Sequence, residues 1–299
     1  MTFALVVSVL FKKESREERT DWHGANIGTL LMALLAPKPT LFSMAATLGF
    51  ARRLLYRLYF FVQGLIVPNL KNSQYAYRET LKLDVRAKPR WLDLGCGHQL
   101  LPEWMPGSAE EQIDILKWAQ TAIGIDADWP SLHKHRTFQN KVLGDIGRLP
   151  FRDQSFDLIT ANMVVEHVKD PDELLREVHR ALPRNGIFVF HTPNRWSYAT
   201  LISIVIPAAL KIKLAAFLQN RREEDVFPTF YRMNSREAIR RLAKQHRFDV
   251  LEFQLIESSA QTVMLGPVVI LELLWIRLLR LPFLKNLRTN IIATLKKAD

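Results

Sequence analysis

The sequence predicts an α/β fold, a doubly wound and mostly parallel sheet, on three observations. Short apolar runs alternate with helix-like stretches between residues 90 and 256. The first run ends in a Gly-x-Gly turn, Gly95-Cys96-Gly97. The next two end in acids, Asp126 and Asp145. Strands joined through helices take right-handed crossovers, which puts helices on both faces of the sheet.

The elements follow in order. Arg90–Leu94 reads as a short buried strand that stops at Gly95. Ser108–Ala119 reads as a helix with Ser108 as its N-cap and Glu110 and Glu111 in the first turn. Ala122–Asp126, Lys141–Asp145 and Phe156–Ala161 are the next three strands. Asp170-Pro171 opens a helix with proline at its first position, running to about Leu182. Asn185-Gly186 turns the chain into a fifth strand, Ile187–His191. Asn234–Gln245 is a helix with the capping box Asn234-x-x-Glu237, and Asp249–Ile256 is a sixth strand.

Composition bounds the function. The chain has 299 residues, 48% hydrophobic and 24% charged, enough for one large domain or two small ones and too apolar to be mainly disordered. Cys96 is the single cysteine, so an intrachain disulfide and a Cys-rich zinc module are excluded, and a cytoplasmic setting fits best. No metal site is expected. The net charge of +11 is uneven: residues 91–200 carry 11 Lys/Arg against 15 Asp/Glu, while both flanks are basic. Basic flanks suit a polyanion, either anionic lipid or nucleic acid, or are a solvated surface.

Three stretches are strongly apolar: Leu48–Val67, Leu201–Leu218 and Val263–Leu284. Arg52, Arg53 and Arg57 share one side of the first if it is helical; Glu272, Arg277 and Arg280 share one half of the third. Charges placed so argue for helices lying in a membrane interface rather than spanning it, with packing onto the protein's own core as the alternative. The apolar run Phe3–Phe11 is too short to span, and its charges Lys12 and Lys13 follow it, so no signal peptide is expected.

The sharpest motif is Trp91-Leu92-Asp93-Leu94-Gly95-Cys96-Gly97, a strand running into a glycine turn that lets backbone approach a ligand. The residue five after Gly95 is Leu100, where a dinucleotide fingerprint has its last glycine, so a nicotinamide enzyme is disfavoured. The second strand ends in Gly124-Ile125-Asp126-Ala127-Asp128, where an acid can accept from two ribose hydroxyls. The third ends in Gly144-Asp145-Ile146, where an acid can accept from an adenine amino group while Ile146 packs on the ring. A loop or capping role is the alternative for each acid.

These residues resemble a family. Leu92-Asp93-Leu94-Gly95-Cys96-Gly97, Gly124-Ile125-Asp126, Gly144-Asp145-Ile146-x-x-Leu149-Pro150-Phe151, Ser155-Phe156-Asp157-Leu158-Ile159, Val165-Glu166-His167-Val168 and Thr192-Pro193-Asn194 are similar to the motif set of class I S-adenosylmethionine-dependent methyltransferases of the type 11, menaquinone/ubiquinone-biosynthesis-like group. The resemblance covers about 88–195, with a looser match over 234–256. It implies a Rossmann-like domain, taken over 71–258 with an insertion at 195–233; the apolar and charge pattern outside it reads as an apolar and basic helical arm at 1–70 and an amphipathic helical segment at 259–299. It implies that Asp93, Gly95, Cys96 and Gly97 hold the methionine part of the cofactor, and that Asp126 and Ala127 meet the ribose. Asp145 and Ile146 would frame the adenine, and Asn162 would sit near the sulfonium. Gln99 departs from the family's third glycine, and the stretch between Gly97 and Asp126 is longer than usual.

Methyl transfer needs a base only if the acceptor must lose a proton. His167 is the leading candidate, with His191 next and His98 after it. Tyr75 and Tyr77, in the arm before the first strand, are placed to lie over the cofactor. No Asn-Pro-Pro-aromatic run follows the fourth strand, so methylation of base amino groups is not signalled, and no DNA partner is expected. The apolar stretch at 201–218, followed by Arg221-Arg222, suits a small or lipid-linked acceptor met at the inner surface of a membrane. An RNA methyltransferase is the first alternative, disfavoured because no RNA-binding module is visible. A non-catalytic membrane-associated protein that keeps the fold is the second.

Overall fold

Strands β1 (Arg90–Leu94), β2 (Thr121–Asp126), β3 (Asn140–Leu143), β4 (Leu158–Asn162), β5 (Ile187–Pro193), β6 (Phe248–Ile256) and β7 (Asn290–Lys297) form one sheet. Their order across it is β3-β2-β1-β4-β5-β7-β6. The computed structural model describes residues 41–87, 90–206 and 227–298. The run Phe3–Phe11, most of Leu201–Leu218 and the pair Arg221-Arg222 lie outside the described residues. The pairs β1–β2, β2–β3, β1–β4 and β4–β5 are parallel, and β7 runs antiparallel to both β5 and β6.

The helices are α1 (Leu41–Ile66), α2 (Ser73–Ala87), α3 (Ser108–Trp118), α4 (Trp129–Lys134), α5 (Pro171–Ala181), α6 (Tyr198–Val205), α7 (Arg236–Gln245) and α8 (Val268–Leu278). Strand alternation sorts the side chains to two faces. Leu92, Leu94, Ile159, Phe188 and Phe190 pack with Leu174, Leu175 and Val178 of α5 and Ile239 and Leu242 of α7. Trp91, Leu158, Val189 and Ile292 point the other way, onto Tyr77, Leu81 and Val85 of α2 and Ile115 of α3. Fully burying side chains of this size contributes about 1.5–3 kcal/mol each, which makes these two layers the main source of stability.

The caps agree in part with the sequence. Asp170 caps α5 as expected, its Oδ1 accepting from the N–H of Asp172 and Glu173 at 3.0 and 3.1 Å. The residue before α3 is Gly107, with φ 70°, and Ser108 is already helical and buried. The cap of α7 is Ser235, whose Oγ accepts from Ala238 N at 3.2 Å. Asn234 is buried one residue earlier and turned to β5 instead: its Nδ2 donates to Thr192 Oγ1 at 2.6 Å and to the carbonyl of Pro193 at 3.1 Å.

The C-terminal part differs from expectation. Val263–Leu284 is not one helix: a turn of 3₁₀ at Val263–Leu265 precedes α8, and another, Pro282–Leu287, follows it. After that the chain returns to the sheet as β7, with Asn290–Leu295 all buried. Glu272 does not share an exposed side with Arg277 and Arg280. It is buried, and its carboxylate accepts from Gln261 N at 2.7 Å, Thr262 N at 2.8 Å and the hydroxyls of Thr262 and Tyr198.

α1 and α8 make a third cluster. Tyr56 and Tyr59 of α1 pack on Val263, Val269, Leu273 and Ile276. The outer faces stay uncovered: Phe61 is 67% exposed, Leu65 65%, Leu271 69% and Phe283 76%. No helix among the described residues is long and apolar enough to cross a membrane.

Candidate active site

The glycine turn sits where β1 leaves the sheet. Gly95 has φ 59°, and a Cβ there would meet Val164 Cγ2 at 2.5 Å, so no other residue fits without displacing the β4 loop. Gly97 also has φ 59°, but no heavy atom lies within 4 Å of where its Cβ would be. The turn is thus tight below and open above. Cys96 anchors it through its N–H to the carbonyl of Ile125 at 3.1 Å, and its side chain is buried against Gly124, where a Cβ would come within 2.7 Å of Sγ. Burial and the nearby carboxylates of Asp93 and Asp126 push the Cys96 thiol up, so it is no nucleophile.

Asp126, half-buried at the end of β2, closes the turn. Its Oδ2 accepts from Gly97 N at 2.7 Å and its Oδ1 from Asp128 N at 2.8 Å. Each oxygen keeps a further lone pair for a ligand hydroxyl. Ala127 is exposed next to it. Asp145 is exposed past β3, its Oδ1 accepting from Gly147 N at 2.8 Å, and Ile146 is half-buried against the core.

Asp93 faces α2 from the middle of the buried sheet. The register places it beside Thr160, whose hydroxyl donates to Asp93 Oδ1 at 2.5 Å and accepts from Trp91 Nε1 at 2.8 Å. Burial pushes the Asp93 carboxyl up to about 7; Thr160 opposes that and the Asp126 charge adds to it.

Asn162 ends β4 on the same face. Its side chain forms a reciprocal amide pair with buried Gln74 of α2, at 2.9 and 3.2 Å. Its Oδ1 also lies 2.9 Å from Nδ1 of His191 on β5. Because Oδ1 accepts from Gln74, Nδ1 of His191 is the donor, and Nε2 is buried with no partner. Tyr77 stacks on this ring, with centroids 5.5 Å apart. Tyr75 instead meets Trp104 edge-on at 5.8 Å. Burial lowers His191 to about 3, so it is a poor base near neutral pH.

A second polar group lies on the opposite face. Glu166, 3% exposed, accepts from the hydroxyl of Thr192 at 2.9 Å, and Thr192 accepts in turn from Asn234. The carbonyl of Glu166 takes the N–H of Phe230 at 2.7 Å and of Tyr231 at 3.3 Å. His167 Nδ1 is 2.7 Å from the carbonyl of Pro228, and the His167 ring meets Phe227 edge-on at 6.0 Å. A carbonyl only accepts, so in the neutral ring Nδ1 carries the proton and Nε2 keeps its lone pair, 3.9 Å from Glu166 Oε1. Segment 227–234 is thereby laid across the ends of β4 and β5.

Thus Asp93, Gly95, Cys96, Gly97, Asp126 and Asn162 lie along the carboxyl ends of β1, β2 and β4, where open α/β sheets bind ligands. A family model described as a methyltransferase domain matches residues 70–252. The chain belongs to that methyltransferase family. Its methyl donor is S-adenosylmethionine, and the open space above Gly97 and the two acids at the ends of β1 and β2 fit that cofactor. Among relatives, the malonyl-[acyl-carrier protein] O-methyltransferase of Legionella pneumophila is 30% identical over 112 residues, 36% of this chain and 37% of that protein. The mitochondrial ubiquinone biosynthesis O-methyltransferase of Saccharomyces cerevisiae is 29% identical over 149 residues, 45% of this chain and 43% of that protein. The chain therefore spans well under half of either relative. A crystal structure of an S-adenosylmethionine-dependent methyltransferase from Mesorhizobium loti superposes with a TM-score of 0.42 at 16% identity, covering 78% of this chain and 95% of that one.

Four polar residues of this end escaped the sequence reading as site residues: Gln74, Thr160, Thr192 and Asn234. Thr160 had a signal, since a hydroxyl one strand over from a buried acid is a natural partner. Gln74 had none, because its contact with Asn162 spans 88 positions.

Proposed function

We propose that this methyltransferase acts on an amphiphilic acceptor at a membrane surface, and that the residues above divide the work. Asp93, Gly95, Cys96 and Gly97 hold the methionine end of the cofactor, Asp126 and Ala127 the ribose, and Asp145 and Ile146 the adenine. When bound, S-adenosylmethionine supplies a methyl group on a sulfonium, open to displacement in line. Gln74 and Tyr77 of α2, clamped on Asn162 and His191, keep water from that end of the sheet. His167 takes the acceptor's proton on Nε2 where one must be lost, and the buried Glu166 carboxylate stabilises the imidazolium that results.

The observation that carries the membrane part is the uncovered apolar face of α1, α6 and α8. Leu58, Phe61 and Leu65 on α1, Ile202 and Val205 on α6, and Leu271 on α8 are all more than half exposed. Large apolar side chains exposed in such number mark interaction surfaces when they form a patch. The face adjoins the site: α6 starts at Tyr198, just past β5, and is tied to α8 through Glu272, while α1 leads directly into α2 and Gln74. Flotation of the full chain with vesicles of phosphatidylglycerol and phosphatidylcholine tests this. Binding should be strong at low salt, weaker but present at high salt, and lost in a Phe61→Glu/Leu271→Glu variant that still binds S-adenosylhomocysteine. Wild-type protein that stays wholly in the supernatant at low salt would end the membrane reading.

A further inference from the structure

A cleft of about 420 Å³ is lined by Arg195, Arg232 and Arg241, with Asp170, Asp172 and Leu242 completing its walls. It stands on the α5–α7 side of the sheet, next to the Glu166–Thr192–Asn234 group. Arg195 lies two residues past β5, and its N–H is held by the carbonyl of Asn234 at 2.7 Å. Arg232 follows Tyr231, which is bonded to Glu166. The cleft therefore shares a wall with segment 227–234, at the end of the sheet where the acceptor is read to enter.

The charges in the cleft are unbalanced in a specific way. Three guanidinium groups face two carboxylates, a net positive charge of one, and the carboxylates are turned to donors other than the arginines. Asp170 caps α5, and Asp172 Oδ1 lies 2.7 Å from both Gln245 Nε2 and His246 Nε2. The three arginines have no acidic partner among the described residues. Arg195 reaches only the carbonyl of Tyr231, at 3.5 Å, and Arg232 lies over the ring of Phe230 at 6.0 Å. Three like charges in one cleft repel each other, and each guanidinium brings a planar fork of donors. One carboxylate would fill a single fork. A group with three or more oxygens and more than one negative charge can satisfy all three.

We propose that this cleft binds a phosphate or diphosphate group carried by the methyl acceptor, and so fixes the acceptor's class as a phosphorylated amphiphile. The proposal rests on the reading of the acceptor side given above. The cationic side chains that line the cleft are the three arginines.

Inorganic pyrophosphate is the probe, titrated calorimetrically into the full chain with and without S-adenosylhomocysteine. One molecule should bind. Arg195→Gln, Arg232→Gln and Arg241→Gln should each weaken it about five- to tenfold, and the triple variant should abolish it. Arg136→Gln, near the opposite sheet edge beside β3, should leave it unchanged. Arg241 touches no acid among the described residues, so its single substitution serves even if the triple variant unfolds, which circular dichroism would reveal. Absence of binding at millimolar pyrophosphate, or binding that Arg241→Gln leaves untouched, would overturn the proposal. Vesicles with and without phosphatidate place the group. If binding to phosphatidate vesicles falls in the Arg241→Gln variant and is competed by pyrophosphate, the phosphate belongs to a lipid. If only pyrophosphate binding responds, it belongs to a soluble acceptor; either result supports the site. Intact binding of S-adenosylhomocysteine without pyrophosphate binding would sink this inference alone, whereas failure of S-adenosylhomocysteine to bind would sink the enzyme reading instead.

Discussion

Substituting Asp93 by Asn probes the electrostatics beneath the cofactor loop. The Asp93 carboxyl is displaced from 3.8 to about 7 because it is buried. The native state therefore holds its proton more tightly than the unfolded chain does. The stability linked to this group is complete below about pH 4 and is lost as pH rises towards about 7. At 1.36 kcal/mol for each pH unit the ceiling is about 4 kcal/mol. Water penetration and the Thr160 hydrogen bond, which Asn can keep at Oδ1, reduce the expected effect to about 2–3 kcal/mol. Asn carries no such penalty. Relative to wild type, Asp93→Asn should gain about 2 kcal/mol in urea unfolding between about pH 5 and about pH 8, with an unchanged slope against denaturant. Cofactor binding should respond in the opposite sense. A cationic ligand beside Asp93 favours the ionised carboxylate, so wild-type affinity should rise with pH through about 7 and the variant's should not. A stability gap that stays constant across this range would mean that Asp93 titrates as an ordinary surface acid, and would refute the reasoning.

Three further outcomes are expected. Asp126→Ala removes the acceptor of the Gly97 and Asp128 N–H groups together with that of the ribose. Because the site is half-exposed, calorimetry with S-adenosylhomocysteine should show a loss of about 1–2 kcal/mol, roughly 5–30-fold, and unchanged affinity would remove Asp126 from the site. His167→Ala should lower turnover by roughly 10²–10⁴-fold and leave cofactor affinity alone, if the acceptor loses its proton in the transition state. A full-speed variant would discard His167 as the base. Gln74→Ala leaves half of the Asn162 amide unpaired in a buried place and should cost about 1–3 kcal/mol, read as a shift in the urea midpoint. No shift would mean that water replaces Gln74 there.

The sequence announced the cofactor half of this protein because that half is built from local patterns. A strand, a glycine turn and an acid at a strand end each fall within seven residues, and the resulting positions of Asp93, Gly95 and Asp126 are those that parallel pairing brings to one edge. The acceptor half is built from contacts far apart in the chain. Gln74 meets Asn162, Thr192 meets Asn234, and His167 meets Pro228, 61 positions away. No period or spacing encodes such pairs.

The C-terminal error has a different cause. Asn290–Lys297 holds the apolar residues Ile291, Ile292, Ala293 and Leu295 and ends in two lysines, which in isolation matches the edge of an amphipathic helix. What makes it a strand is its setting: β5 offers an open edge on one side and β6 on the other, and both pair with it in antiparallel register. Glu272 departs from its expected exposed place for the same reason. A carboxylate in an apolar helix reads as a surface charge until the chain supplies, from Tyr198 and from residues 261–262, the donors that let it be buried. The apolar face owes nothing to Glu272 or to the last strand. It rests on Phe61, Leu65, Leu271 and Phe283, whose inner neighbours Tyr59, Leu273 and Ile276 already hold α1 and α8 together. The outer residues are therefore not needed to stabilise that pair of helices, which is why a surface that takes them up is sought beyond the described residues.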